Sequence, residues 1–448
     1  MKKAQWGWKK TQLIFASLVI AATGVGIAVP AGAESLEELK ATIQELKATV
    51  NALEQKMQTM EQKQIKTEEV ISQQGTKGGS STIGGLKLPA NTTLSIYGYT
   101  KLDAIYTDTG GAVQPLYVPS SVPLDSQQSS LPDNDFYMHA KQSRIGFATS
   151  SDTSFGKLKT KIEADFYGGG GNDKYSNSYG LRVRRAYGEL GNFLAGQEWS
   201  TFIDLSMYPE TIDFGSAAGS LFNRQAMIRW TQPFTGGSFM LAVENPATTV
   251  QLQDSLTGSN ITMDGSGEYM PDFIARVNYD AGFAHFSAAG MLRELIVDNG
   301  LGDDSEWGAA MSMNAKIKTF GKDHLNLEFN FGNALGRYMN SAFPDAFLNP
   351  NTHDLELSNQ WGGFVSYQHF WTDSLRSTFV YSLAERDVDL DYVTDAADKQ
   401  YQSVHANLIW SPVDRVSVGI EYIWGYRETE NGEDGDMNRI QTGFQYKF

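Results

Sequence analysis

NRIQTGFQYKF, residues 438–448, alternates without a break. Ile440, Thr442, Phe444, Tyr446 and Phe448 fall on one register, and Arg439, Gln441, Gly443, Gln445 and Lys447 on the other. A period of two puts the first set on one face of a β-strand and the second on the opposite face. A strand that runs to an aromatic last residue predicts a pairing partner that ties it down, because free termini fray.

Upstream, sixteen segments have strand character, near 93–107, 135–149, 154–167, 180–190, 192–199, 223–232, 238–245, 270–279, 283–293, 306–318, 323–332, 360–370, 375–387, 400–411, 415–427 and 438–448. In KLKTKIEADF, Leu158, Thr160, Ile162, Ala164 and Phe166 form one face; Lys159, Lys161, Glu163 and Asp165 form the other. The connections alternate in length. Short turns are SSDT at 150–153, Gly191-Asn192, PFTGG at 233–237, YDAG at 279–282, FGKD at 320–323, WTDS at 371–374 and SPVD at 411–414. Long joins occupy 108–134, 168–179, 200–222, 246–269, 294–305, 333–359, 388–399 and 428–437. Short turns at one end and long loops at the other predict an all-β transmembrane barrel of 16 antiparallel strands over residues 92–448, closed by the last strand against the first. A propeller or sandwich accounts for neither the loop alternation nor the leader described next.

Mean hydropathy of −0.34 excludes a polytopic helical membrane protein, which needs repeated apolar runs of about 20 residues. It is compatible with a barrel, where polar inward positions offset apolar outward ones. The absence of cysteine removes disulfides, thiolate metal sites and Cys nucleophiles. Residues 1–33 place Lys2, Lys3, Lys9 and Lys10 before an apolar run ending Ala31-Gly32-Ala33, which predicts a signal peptide. Removing those four lysines from 36 Lys+Arg leaves 32 against 52 Asp+Glu, a net charge of −20. Nucleic acid is therefore not an expected partner, since phosphate binding needs a basic footprint.

After the leader, Leu36, Leu39, Ile43, Leu46, Val50, Leu53, Met57 and Met60 repeat at spacings of 3 and 4. That heptad predicts an N-terminal α-helical coiled coil over 34–74, an oligomerisation element on the periplasmic side, followed by a flexible Gly/Ser-rich linker over 75–91. The heptad itself leaves the number of helices open.

The heptad helix, the linker, the first strand SIYGYTKLDAIY, the QSRIGF and RVRRAYGEL strands and YPETIDFG in the third long loop together resemble the DcaP-type outer-membrane porins. That resemblance implies a homotrimer of sixteen-stranded barrels with a periplasmic coiled coil, passing small anionic solutes, dicarboxylates above all. It also implies that the third loop folds into the lumen, where Asp204, Glu210 and Asp213 would oppose a basic wall.

Alternation assigns that wall. With Ile145 and Phe147 outward, Arg144 faces inward; with Val183 and Tyr187 outward, Arg182 and Arg184 face inward. Arg185 breaks the pattern, through a bulge or a subunit contact. The same reasoning turns Lys159, Lys161, Arg229, Arg276, Arg293, Arg376 and Arg386 toward the lumen. A lipid-facing Arg or Lys would cost about 2–4 kcal/mol at the bilayer midplane. Two readings follow: these cations line the solute path, or they merely pair with Glu163, Asp165, Glu189, Glu198 and Glu244.

No enzyme is expected: the six histidines lack metal spacing, and there is no HExxH, GxSxG or phosphate loop. Neither a cofactor nor a metal is implied; Asp387, Asp389 and Asp391 start a calcium-loop pattern that fails at Tyr392. The acidic loops at 298–306, 386–398 and 427–436 read as a solvated outer face, with cation-bridged lipopolysaccharide as the other reading. Expected partners are outer-membrane lipid and lipopolysaccharide, further copies of the chain and small anionic solutes. The alternative function is structural, a coiled coil that tethers the outer membrane to the cell wall.

Overall fold

The computed structural model describes residues 91–448 apart from 111–113, 173, 255–256, 299–302, 341–342, 350 and 353, together with Pro89 and a hairpin of Thr82–Ile83 with Leu86–Lys87. The predicted leader and coiled coil lie outside the described residues, as does most of the linker. The rest is one closed antiparallel barrel. Its strands are β1 Thr92–Thr107, β2 in two pieces (Asp135–His139 and Arg144–Thr153), β3 Gly156–Asn172, β4 Ser178–Leu190, β5 Phe193–Trp199, β6 Arg224–Phe234, β7 Gly237–Glu244 and β8 Asp272–Asp280. They continue as β9 Ala284–Asp298, β10 Asp303–Lys318, β11 His324–Gly332, β12 Gln360–Phe370, β13 Leu375–Arg386, β14 Asp398–Trp410, β15 Val416–Thr429 and β16 Asp434–Lys447. Both pieces of β2 pair with β1, one with each half, so the wall has sixteen strands. Each predicted segment lies on one of them.

Closure is made by residues 438–448. β16 pairs with β1 from Arg439 opposite Thr107 to Lys447 opposite Tyr99, and the Phe448 N–H donates to the Gly98 carbonyl at 3.1 Å. Gly98 is required there. A Cβ would fall 2.1 Å from the Arg144 carbonyl oxygen and 2.8 Å from the Phe448 ring.

The radial distribution is inverted relative to a soluble protein. Ile96, Phe147, Ile162, Ile228, Phe273, Leu292, Phe379, Ile420 and Phe444 are exposed on the outer face, while Asp103, Asp165, Arg293, Glu421 and Arg439 are fully buried inside. Apolar surface turned outward is stable only against lipid. The strands also run further than predicted. β3 with β4, β9 with β10, and β15 with β16 continue through much of the long joins expected at 168–179, 294–305 and 428–437. Backbone pairing persists there without an apolar alternation to reveal it.

The connections β7–β8 and β11–β12 contribute a second, four-stranded sheet: Thr249–Gln253, Asn260–Asp264, Ala346–Leu348 and Leu355–Leu357. Val250, Leu252, Ala346, Leu348 and Leu355 pack there on Leu295 and Val297 of β9. Beneath this layer Arg293 is sealed between Asp272 (3.2 Å) and Asp345 (2.6 Å), all three without exposed side-chain surface.

Gly98→Ala should destabilise the closed barrel by about 1–3 kcal/mol, the usual range for overpacking. Urea unfolding in lipid vesicles would measure it, with the fraction of heat-modifiable, folded species falling on gels.

Candidate functional site: a basic wall facing an anchored loop

Residues 200–223, between β5 and β6, fold into the barrel because the inner wall satisfies their backbone. Arg276 on β8 donates to the Ile203 carbonyl, and Asn326 on β11 to that of Met207 at 2.9 Å. Lys101 on β1 donates to the Ile212 carbonyl at 2.6 Å, while the N–H groups of Ile212 and Asp213 donate to Glu421 on β15 at 2.8 and 3.0 Å. Ala218 and Gly219 donate to Ser403 and Ser382, and Leu221 to Glu328. At Gly219 the loop backbone touches the wall: a Cβ would sit 2.0 Å from the Leu383 carbonyl oxygen. The loop backbone is therefore anchored along the arc from β7 round to β1. Toward the wall made by β2 to β6 it turns side chains instead.

That wall is basic. Arg144 on β2 stands opposite Asp165 on β3, which stands opposite Arg182 on β4. Arg182 donates twice to Asp165 (3.0 and 2.8 Å). Arg184 bridges Glu163 (2.9 Å) and Asp165 (2.8 Å). Arg144 reaches Glu163 only at 3.4 Å and lies over the Tyr99 ring, 5.0 Å from its centroid. The alternation broken at Arg185 is a bulge: Ala164 pairs with Val183 and Glu163 with Arg185, leaving Arg184 as the extra residue. The bulge gathers Arg182, Arg184 and Arg185 on one side, where Arg185 bonds Glu198 at 3.0 Å. It also shifts the phase of everything after it, so Tyr187, expected to face lipid, shares the inward row of Lys161.

The predicted cations divide three ways. Arg144, Lys161, Arg182 and Arg184 meet on the basic wall, with Lys159 (paired to Glu189 at 2.7 Å) and Arg229 flanking it. Arg276 and Arg376 hold the loop instead. Arg293 and Arg386 line no open space: 0% and 2% exposed, they are enclosed beneath the long loops, Arg386 against Phe343, Phe347 and Gln251. Of the acids expected to pair with arginines, Glu189 pairs with Lys159 instead and Glu244 accepts from the Thr201 N–H at 2.7 Å.

The loop acids do not oppose the basic wall. Asp204 accepts from His285 on β9 at 2.9 Å, Glu210 is bound bidentately by Arg376 on β13 at 2.6 Å, and Asp213 pairs with Arg439 on β16 at 3.1 Å. A desolvated carboxylate needs such a partner, and each takes one from the arc behind it. What the loop turns toward the arginines is aromatic. Phe214 stacks on Tyr167 at 5.1 Å, with Arg182 and Arg184 at 5.8 and 5.0 Å from its centroid. Phe222 and Trp199 extend this strip, and Arg224 lies 4.7 Å over Trp199.

Sequence reasoning missed Arg224 and Phe214. Arg224 shares the parity of outward Ile228, but at the first residue of β6 the chain is still turning out of the loop and strand phase does not apply. Among the described residues Arg224 and Lys161 have no carboxylate in ion-pair range. Five arginines and Lys161 thus face three carboxylates, Glu163, Asp165 and Glu198. The wall keeps a positive surplus of three.

Two loop anchors set a pH limit. Burial pushes the Asp204 and Glu210 carboxyls up, but Arg276 with His285, and Arg376 respectively, outweigh it and hold both below the ordinary carboxylate range. For a depressed carboxylate the stabilisation is present above the unfolded value and lost as pH falls through the folded one. Anchoring by Asp204 and Glu210 should therefore persist from neutrality down to about pH 4, and single-channel noise from their release should set in only below it, near and under the ordinary carboxylate values. Arg439→Met, which strands buried Asp213, should cost about 3–5 kcal/mol and give the same noise at neutral pH.

Among the described residues no group of three or more His, Asp or Glu is arranged to hold a metal ion. The profile of the DcaP outer membrane protein family matches residues 29–448. No curated relative matches the chain. Among solved structures, the outer membrane channel DcaP of Acinetobacter baumannii superposes with a TM-score of 0.70 at 23% identity, over 83% of this chain and 100% of that one. The anion-selective porin from Comamonas acidovorans gives 0.52 at 13% identity, over 80% and 100%. OmpT of Vibrio cholerae in its trimer form gives 0.51 at 13% identity, over 80% and 99%. At these identities the likeness is one of fold.

Proposed function

The chain belongs to the DcaP outer membrane protein family, and from that premise we propose that this outer-membrane channel selects small anionic solutes, dicarboxylates foremost, at the constriction between Arg144, Arg182 and Arg224, with the buried Arg184 behind them, and the aromatic face of the third loop. The observation that carries the reading is the surplus of guanidinium charge on the arc that the loop meets with aromatic side chains and no carboxylate. Guanidinium groups bind carboxylates through two parallel hydrogen bonds. A solute with two carboxylates engages two of them in turn, and rings of lumen charge are the usual source of porin selectivity. The aromatic strip of Phe214, Phe222 and Trp199 holds the arginines by cation–π contact. That fixes their planes without neutralising them. Anchoring the loop acids on the far arc removes the negative charge that would otherwise repel the solute.

Membership of an outer membrane protein family with a channel's fold supports passage rather than chemistry as the protein's work. We further propose that it acts as a homotrimer, in keeping with the trimer form of the OmpT relative in fold. The leader and periplasmic coiled coil remain part of the proposal as read from residues 1–74.

Reversal potentials in planar bilayers under a salt gradient test the reading. The wild-type protein should prefer anions, and the preference should shrink as salt rises toward 1 M, where screening shortens to about 3 Å. Arg144→Gln combined with Arg224→Gln should lower the anion-to-cation permeability ratio severalfold and abolish current block by small dicarboxylates. Cation preference in the wild type would overturn it.

A further inference from the structure

Below the basic wall, toward the short turns, one arginine of the lumen has no work in the structure. Arg229 on β6 makes no hydrogen bond and no ion pair among the described residues, and its Nε–H is buried without an acceptor. It differs in this from Arg276 and Arg376, which hold the third loop, and from Arg293 and Arg386, which are sealed under the long loops. Its place is fixed by strand pairing. Lys159, Glu189, Leu194 and Arg229 stand opposite one another on β3, β4, β5 and β6.

Beside Arg229 lies a cavity of about 310 Å³, lined by Glu189, Asn192, Leu194, Thr231 and Met240 together with the arginine itself. Asn192 belongs to the turn between β4 and β5, so the cavity sits at the short-turn rim of the pore. The carboxylate of its lining, Glu189, is taken by Lys159 at 2.7 Å, which leaves the charge of Arg229 unmatched. Arg276, opposite Met240, is committed to the Ile203 carbonyl of the loop, and Asp204 of the loop to His285. Thr231 follows Arg229 by two residues and shares its face of β6, adding a hydroxyl to the guanidinium.

We propose that Arg229 and Thr231 form a second, weaker binding station for small carboxylate solutes at the short-turn end of the pore, which receives a solute after it has left the arginine constriction. The proposal rests on the anion-channel reading given above. A guanidinium presents parallel N–H donors that match a carboxylate, and a buried donor left without an acceptor is costly; a bound carboxylate supplies that acceptor. The two stations are separate. Asp165, which binds Arg182 and Arg184, lies six residues from Lys159 on β3, or about 20 Å at the rise of a strand. That exceeds the screening length of about 8 Å at physiological salt, so each station holds its solute independently. Lys161, 5.0 Å over the Tyr97 ring and two residues above Lys159, stands between them. Conduction needs sites that bind well enough to admit a solute and weakly enough to release it. A surplus of three positive charges at the constriction meets the first need, and a single unpaired guanidinium near the exit meets the second.

The test uses the full-length protein in planar bilayers, with succinate as the probe and its current blocks timed from each side in turn. Arg229→Gln should shorten the blocks severalfold for succinate added from one side of the membrane and change them little from the other. The sign of the reversal potential should stay that of the wild type. Arg229→Lys, which keeps the charge and loses the fork, should recover part of the lifetime. Arg229 has no partner in the protein to lose, so both variants should fold as the wild type does. Equal block lifetimes in the wild type and Arg229→Gln, with anion preference intact, would overturn the second station and leave the constriction standing. Loss of anion preference in Arg229→Gln would also overturn it, by making Arg229 part of a single filter. Cation preference in the wild type would instead overturn the channel reading on which the station depends.

Discussion

A backbone that crosses lipid must find every hydrogen bond within itself, and sixteen strands do so only when the last meets the first. The nine pairs joining β16 to β1 are therefore the constraint on which everything else rests. Closure removes both sheet edges and fixes which residues face inward. With that settled, alternation distributes the chemistry: aliphatic and aromatic side chains outward to lipid, carboxylates, guanidiniums and amides inward. The interior then becomes a polar surface able to receive a loop.

The third loop exploits this surface. Its backbone is satisfied by Lys101, Glu421, Ser403, Ser382, Glu328 and Asn326, residues from five different strands that no sequence motif links. Its acids are spent on anchoring, each against a cation of the arc it covers. The cations it leaves in excess of carboxylates are those of β2 to β4 and β6. The distribution of charge on the inner wall and the seating of the loop are thus coupled. Were Glu210 or Asp213 turned toward Arg184 instead of Arg376 or Arg439, the positive surplus of the basic wall would fall from three to two while the wall behind the loop gained one unpaired cation.

The bulge at Arg184 shows how much one inserted residue matters. A strict alternation would send Arg185 into lipid and keep Tyr187 outside; the extra residue brings Arg185 onto Glu198 and turns Tyr187 inward. It also packs three guanidiniums into one short span of β4, a density that only Glu163 and Asp165 on the facing strand make tolerable.

The barrel was legible in the sequence, because membrane burial imposes a period of two and loop length reports the side of the sheet. Strand number, order, closure by residues 438–448 and the inward direction of Arg144, Arg182 and Arg184 all follow from those local rules. The pairing of charges does not, since it joins residues hundreds of positions apart. Only the tertiary structure decided that Asp204, Glu210 and Asp213 anchor the loop, that Arg293 and Arg386 are sealed under the long loops, and that Arg224 and Phe214 complete the basic wall. The reason is physical: alternation says which face a side chain takes, but which opposite charge it meets there depends on where a folded-in loop lays its own backbone.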